Sequence, residues 1–254
     1  MKYKPYCIAA PPYDSVSGGI RVMYALQSWL ETKGQIALMN TTFDTDFIAV
    51  YPEIYHGNQA EAKNVVRYIL NKPGVMASNG VQGPTSFDMK DKIYVFSEMF
   101  NTFGVDDDHI MFLPVLNLHL FKDQKKKRTN TCYFIGKGIN LEKHPEKSIP
   151  ITRESSRDQA HLTDVLNKCQ VMYCYDDATA MTEIARLCGC RVIVYPGTRG
   201  LQEWEKYEPG MNGITWGDDS EVKLDVEKFR QHYKNMILVF ESRLEKFIDD
   251  TQHD

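Results

Sequence analysis

Between residues 171 and 195 two short apolar runs flank one amphipathic stretch. Val171-Met172-Tyr173-Cys174-Tyr175 and Arg191-Val192-Ile193-Val194-Tyr195 are each short and apolar enough for a strand buried on both faces. Between them Met181, Ile184, Ala185 and Cys188 recur at helical spacing, with Gly189 as the stop and Asp176 or Asp177 as the N-cap. Strand, helix and strand in that order predict a βαβ unit, whose ligand normally sits beyond the C-terminal end of the first strand. The backbone N–H groups of Ala178, Thr179 and Ala180 would open the helix there and favour an anion, phosphate above all. Thr179, Glu183 and Arg186 share the face turned away from the apolar stripe. On this reading the turn holds the phosphates of a nucleotide and Glu183 accepts hydrogen bonds from sugar hydroxyls. The competing reading is a turn that binds nothing, with a solvated glutamate.

The same alternation recurs from the N-terminus onward. Residues 6–10 read as a strand, followed by Pro11-Pro12-Tyr13-Asp14-Ser15-Val16-Ser17-Gly18-Gly19. A helix is predicted over about 18–32, burying Val22, Met23, Leu26, Trp29 and Leu30 and ending at Gly34. Gly18 and Gly19 would let a ligand approach the backbone closely, but G-x-G-x-x-G is absent, which argues against a dinucleotide. Strands at 35–39 and 46–51 follow, and then a helix over about 59–71. Its signals are the capping-box pair Asn58 and Glu61 and an apolar face of Val65, Val66, Ile69 and Leu70. Glu53, at the end of the preceding strand, is a candidate functional carboxylate.

Residues 74–91 read as irregular, and 93–97 and 110–115 as strands. The polar, basic piece 121–130 reads as the linker between a first domain of residues 1–120 and a second of 131–254. A basic patch for lipid or a polyanion is the sharper alternative for it. Beyond it a strand at 131–135 runs into Gly136-Lys137-Gly138, with Lys137 placed to reach a phosphate and Lys143 one loop further on. A short strand at 149–152, a helix over 157–169, a glycine-rich loop over 196–220 with a strand at 213–216, and a long helix over about 221–249 complete the pattern.

Composition narrows the class without naming the chemistry. The 254 residues are 43% hydrophobic and 25% charged with a net charge of −4, so nothing global attracts nucleic acid or anionic lipid. No run is long enough to span a bilayer and the N-terminus lacks a signal peptide's apolar region. Six cysteines without a C-x-x-C pair or a histidine cluster point to a reduced cytosolic protein without a metal site.

Two strand–glycine loop–helix halves carry Ser17-Gly18-Gly19-Ile20-Arg21-Val22 and Glu183-Ile184-Ala185-Arg186-Leu187-Cys188-Gly189-Cys190-Arg191-Val192-Ile193-Val194. With Val50-Tyr51-Pro52-Glu53-Ile54, Gly57-Asn58, Asn71-Lys72-Pro73-Gly74 and Tyr133-Phe134-Ile135-Gly136-Lys137-Gly138 they make nearly the whole chain resemble a GT-B-fold glycosyltransferase. More narrowly, it is similar to retaining family-four-type enzymes and to bacterial polysaccharide glycosyltransferases. The resemblance implies an α/β fold of two Rossmann-like domains facing across a cleft, with a long C-terminal helix that packs back on the first.

It also implies a nucleotide-diphosphate sugar as donor and no separate cofactor or metal. The acceptor would be a glycan or lipid-linked glycan, on the side of Glu53 and Asn58. Gly18 and Gly19 match the loop over the donor diphosphate, Lys137 stands where the family usually has arginine, and Lys143 lies near its following lysine. Glu183 matches the ribose-holding glutamate, whereas Tyr175 replaces the glutamate eight positions earlier. Asp176 or Asp177 would then serve the transferred sugar, so Asp176 and Lys137 are the catalytic candidates. Donor contacts would run over Tyr175, Asp177, Ala178, Thr179 and Ala180. The place of work is the cytoplasm, with peripheral membrane attachment left open. Another nucleotide-sugar enzyme such as an epimerase, a noncatalytic binder of the same fold, and a DNA-base glycosyltransferase are the alternatives.

Overall fold

The computed structural model describes residues 3–78, 80–195, 197, 206, 208–217 and 223–253. The chain is α/β and divides into two units, Met1–Val115 with Met236–Asp254, and Leu116–Asn235. In the first, apolar runs of three to six residues become β1 (Tyr6–Ile8), β2 (Ala37–Met39), β3 (Ile48–Pro52), β4 (Asn64–Ile69) and β7 (Lys92–Val95). The intervening β5 (Ala77–Ser78) and β6 (Val81–Gln82) form a separate two-stranded hairpin. The five main strands make one parallel sheet in the order β2-β1-β3-β4-β7. Helix α1 (Gly18–Thr32) is capped by the Ser17 side chain and lays Val22, Met23, Leu26 and Leu30 into the core.

The second unit repeats the plan. β8 (Asn130–Phe134), β9 (Ile149–Ile151), β10 (Cys169–Cys174), β11 (Arg191–Val194) and β12 (Ile214–Trp216) form a parallel sheet in the order β12-β11-β10-β8-β9. Helices α2 (Gln159–Lys168) and α3 (Met181–Leu187) connect its strands. In both units the first strand is internal, with the second strand on one side of it and the remaining three on the other. All six cysteines are buried free thiols. Among the described residues no helix is long and apolar enough to cross a membrane.

Four expectations need correction. The helix expected over 59–71 is the strand β4, because Val65, Val66, Tyr68 and Ile69 are buried together rather than along one stripe. Asn58 caps a tight loop instead: its side-chain oxygen accepts from Ala62 N at 3.1 Å and its amide donates to Ala62 O at 2.7 Å. The strand expected at 110–115 reduces to one bridge between Ile110 and Val95, although Met111, Phe112 and Leu113 are buried.

The supposed linker 121–130 belongs to the second unit. Phe121 is buried, and the Arg128 guanidinium donates to the carbonyls of Leu166, Cys169 and Cys188 while pairing with Asp123 at 2.7 Å. Lys125 and Lys126 pair with Asp123 and Asp164, so three of the five cations within 121–130 are matched by carboxylates of their own unit. The boundary accordingly falls between residues 115 and 116.

The final helix α4 (Val226–Gln252) is divided between the units. In the second, Arg230 donates to the carbonyls of Leu118 and Phe121 and the Tyr233 hydroxyl accepts from Leu116 N at 3.2 Å. In the first, Phe240, Leu244 and Phe247 join Tyr6, Leu26, Leu30 and Tyr94 in the core. The sequence boundaries put that last stretch in the second domain, while the resemblance had the long helix pack back on the first; its apolar face completes the first core.

Candidate functional site

In a doubly wound sheet the crevice for ligands lies at the carboxyl ends of the two strands from which the chain departs in opposite directions. In the second unit these are β8 and β10. β8 ends in the turn Gly136-Lys137-Gly138, held against the turn after β10. Gly136 sits at φ +56°, and a Cβ on Gly138 would stand 1.6 Å from the Tyr175 carbonyl oxygen, so only glycine permits this approach. Asp176, 3% exposed, organises both turns. Its Oδ2 accepts from Lys137 N at 3.0 Å and pairs with Lys137 Nζ at 3.1 Å, while Oδ1 accepts from Ala178 N at 3.0 Å.

Lys137 Nζ also donates to the Ala178 carbonyl at 2.9 Å, yet its side chain remains 45% exposed. An ammonium has three donors, so one direction stays open to an incoming anion. The arrangement is a cation fixed at the crevice mouth by a buried carboxylate. Asp176 spends its oxygens on this framework, which makes it a positioning residue for Lys137 and not an acid or base facing substrate. It was not an N-cap either: α3 begins at Met181 behind Ala180, and the Thr179 hydroxyl accepts from Met181 N at 3.3 Å.

Of the three N–H groups expected to face an anion, that of Ala178 is therefore taken by Asp176. Those of Thr179 and Ala180 have no acceptor among the described residues. The expected open face of α3 does not exist. Glu183 is 4% exposed and Arg186 fully buried, because the whole seven-residue helix is enclosed. Arg186 instead braces the unit, donating to the carbonyls of Thr182, Gly210 and Asn212 with its guanidinium 4.1 Å from the Phe229 ring centroid. Burial removes Glu183 from the groups a ribose meets in this conformation.

Tyr175 and Lys143 also act differently from expectation. The Tyr175 hydroxyl accepts from Lys143 N at 2.9 Å and bonds His144 Nδ1 at 2.7 Å, and its ring stacks on Tyr195 at 5.3 Å. Burial pushes its phenol above the ordinary value. His144 stacks on Tyr133 at 3.8 Å. Tyr175 thus anchors the loop carrying Lys143, whose own side chain is exposed. Asp177 is nearly buried and faces Gly197, where a Cβ would lie 2.8 Å from Oδ2.

In the first unit the corresponding crevice lies at the ends of β1 and β3. The loop from β1 leads to Gly18 and Gly19 at the start of α1; Glu53 follows β3 directly. Glu53 is 4% exposed and accepts from Leu70 N at 2.9 Å, so it ties β3 to the end of β4 rather than projecting into solvent. Burial raises its carboxyl to about 7, against the opposing pull of backbone N–H donors. Asn58 is engaged at both ends by Ala62, which fixes its side chain within the loop.

Two residues that sequence reasoning left unassigned matter here. Arg67, 2% exposed within β4, pairs with Asp91 at 2.7 Å and donates to the carbonyls of Tyr55 and Gly57, between the rings of Tyr51 and Phe87. It clamps the loop that follows Glu53; an arginine interrupting the apolar run Val65-Val66-Arg67-Tyr68-Ile69 was the available signal. Arg21, in the first turn of α1, is the other. Among the described residues no group of three or more His, Cys, Asp or Glu side chains is placed to hold a metal ion.

No protein-family profile matches this chain. No curated protein matches it. Among solved structures, the E. coli RcsC C-terminus containing its linker region and phosphoreceiver domain is similar at 13% identity over 97% of this chain and 96% of that one. The TM-score of 0.23 is too low for that likeness to bear on fold or activity.

Proposed function

We propose that the chain is a glycosyltransferase of the GT-B kind, moving a sugar from a nucleoside-diphosphate donor to a glycan-type acceptor. The observation that carries the reading is the Lys137 ammonium, held by buried Asp176 at the crevice where β8 and β10 part. Support also comes from two parallel sheets of the same strand order in one chain, each with a glycine-bearing turn at its crevice. A departing nucleoside diphosphate gains negative charge as the glycosidic bond breaks. A fixed cation stabilises that charge without having to reorganise. Lys137 supplies it, Asp176 aims it, and the unengaged N–H groups of Thr179 and Ala180 lie one turn further along. Retention of configuration and independence from metal belong to this proposal through the family resemblance.

One observation favours a noncatalytic nucleotide binder as second reading. Tyr175, which replaces the family's first glutamate, is buried and bound to His144, so it offers the transferred sugar nothing. Incubating the chain with a panel of sugar nucleotides, with and without glycan acceptors, separates the readings. Glycosylated product with release of the nucleoside diphosphate, lost in Lys137→Ala, supports transfer. Interconversion of the sugar nucleotide without acceptor indicates an epimerase. Nucleotide binding without turnover of any donor indicates the noncatalytic binder, and no nucleotide binding removes all three.

A further inference from the structure

α1 follows β1 of the first unit, and Arg21 lies in its first turn. Among the described residues the guanidinium reaches a single acceptor, with Nη1 donating to the Ser15 carbonyl at 3.4 Å. Its Nε and Nη2 are closed off from solvent and have no hydrogen-bond partner among the described residues. The nearby Asp14 carboxylate does not answer them; its Oδ1 accepts from Val16 N at 3.2 Å.

A guanidinium cannot shed its charge in a protein, so Arg21 carries a permanent cation with two enclosed and unanswered donors. Enclosed donors in native chains are almost always satisfied. The two arginines that are fully buried have most of their donors engaged: Arg67 meets Asp91 and two carbonyls, and Arg186 donates to three carbonyls. Nε and Nη2 form one edge of a planar fork, the geometry that receives two oxygens of a single oxyanion. The neighbouring Gly18 and Gly19 add no side chain that would fill the space in front of the helix start.

We infer that Arg21 is an oxyanion receptor of the first unit, whose Nε and Nη2 take two oxygens of one phosphate group. This site is separate from Lys137 and does not depend on sugar transfer. The phosphate can come from a phosphorylated acceptor or from a diphosphate, since both present the same oxygens.

The test is calorimetric titration of inorganic phosphate, pyrophosphate and a sugar 1-phosphate into the full chain in a Lys137→Ala background, so that the second unit's cation does not contribute. Adding Arg21→Gln is expected to weaken binding roughly tenfold or more, as for loss of charge-assisted hydrogen bonds. Preference for the sugar phosphate identifies an acceptor; preference for pyrophosphate identifies a diphosphate. Arg21→Met, which removes the enclosed charge, is expected to raise the melting temperature of the ligand-free chain and to abolish its rise on adding phosphate. Absence of phosphate binding in the Lys137→Ala chain, or equal affinity with and without Arg21 in folded protein, overturns the inference. Neither result depends on whether the Lys137 reading holds.

Discussion

The two crevices share a strand order and handle charge in opposite ways. In the second unit a cation and a carboxylate meet: Lys137 and Asp176 are 3.1 Å apart, and both oxygens of Asp176 are in use. In the first unit the corresponding groups are separate. Glu53 is buried on backbone N–H donors with its carboxyl raised to about 7, and Arg21 has two donors without partners. A paired site is preorganised, with its cation aimed before ligand arrives. An unpaired one holds its electrostatic demand in reserve, to be met by whatever binds. The connections differ as well: α1 joins the first two strands of the first unit, whereas a loop anchored by Tyr175 and His144 joins β8 to β9.

The glycines give the strongest way to break this comparison. Gly138→Ala would drive a Cβ into the Tyr175 backbone carbonyl and should destabilise the second unit by about 4 kcal/mol or more, with loss of nucleotide binding. Gly19→Ala meets only the Leu70 side chain at 3.5 Å and should leave the denaturation midpoint of the ligand-free chain nearly unchanged. Equal effects in chemical denaturation would contradict the idea that the Gly138 turn, unlike the Gly19 helix start, is built by close backbone approach. Next in size is Arg67→Ala, which strands the buried Asp91 and releases the loop at Tyr55 and Gly57. A loss of about 3–5 kcal/mol is expected.

Glu53 tests whether the first crevice really buries an unpaired acid. Its folded pKa is raised from 4.5 to about 7, so the folded state holds the proton more tightly than the unfolded state does. The contribution is fully present below about pH 4.5 and is lost as pH rises through about 7, an effect of about 3 kcal/mol. Glu53→Gln should flatten this part of the stability–pH profile. A profile as steep as that of the unsubstituted chain would assign the slope to other groups.

Much of this organisation was legible in the sequence because strands buried on both faces announce themselves as short apolar runs. Those at 6–8, 48–52, 130–134, 169–174 and 191–194 were read nearly in place, as was α1 from its Gly18 start to the Gly34 stop. β4 was misread because Val65, Val66, Ile69 and Leu70 satisfy helical spacing as well as burial in a sheet, and Asn58 with Glu61 imitates a helix cap. Periodicity alone cannot arbitrate such a run. The candidate site was legible only as far as local position allows. Lys137 beyond β8 and Asp176 beyond β10 follow from strand ends, but their pairing depends on β8 lying beside β10, with β9 on the far side of β8. Glu183 was misplaced because an amphipathic reading assumes an open face, and α3 has none. Arg21 lies within Ser17-Gly18-Gly19-Ile20-Arg21-Val22, but its missing partners become visible only in three dimensions.

The smallest expected effect bears on the central claim. Lys137 is 45% exposed and buried Asp176 keeps two backbone N–H donors without it, so Lys137→Ala should cost about 1–2 kcal/mol of folding stability, less than the losses above. Its consequence should appear in binding. Isothermal titration of UDP and GDP into the unsubstituted chain and into Lys137→Ala is therefore the decisive measurement. The account predicts a measurable affinity for at least one nucleotide, reduced roughly tenfold or more in the variant. Unchanged affinity in a folded Lys137→Ala protein would contradict it.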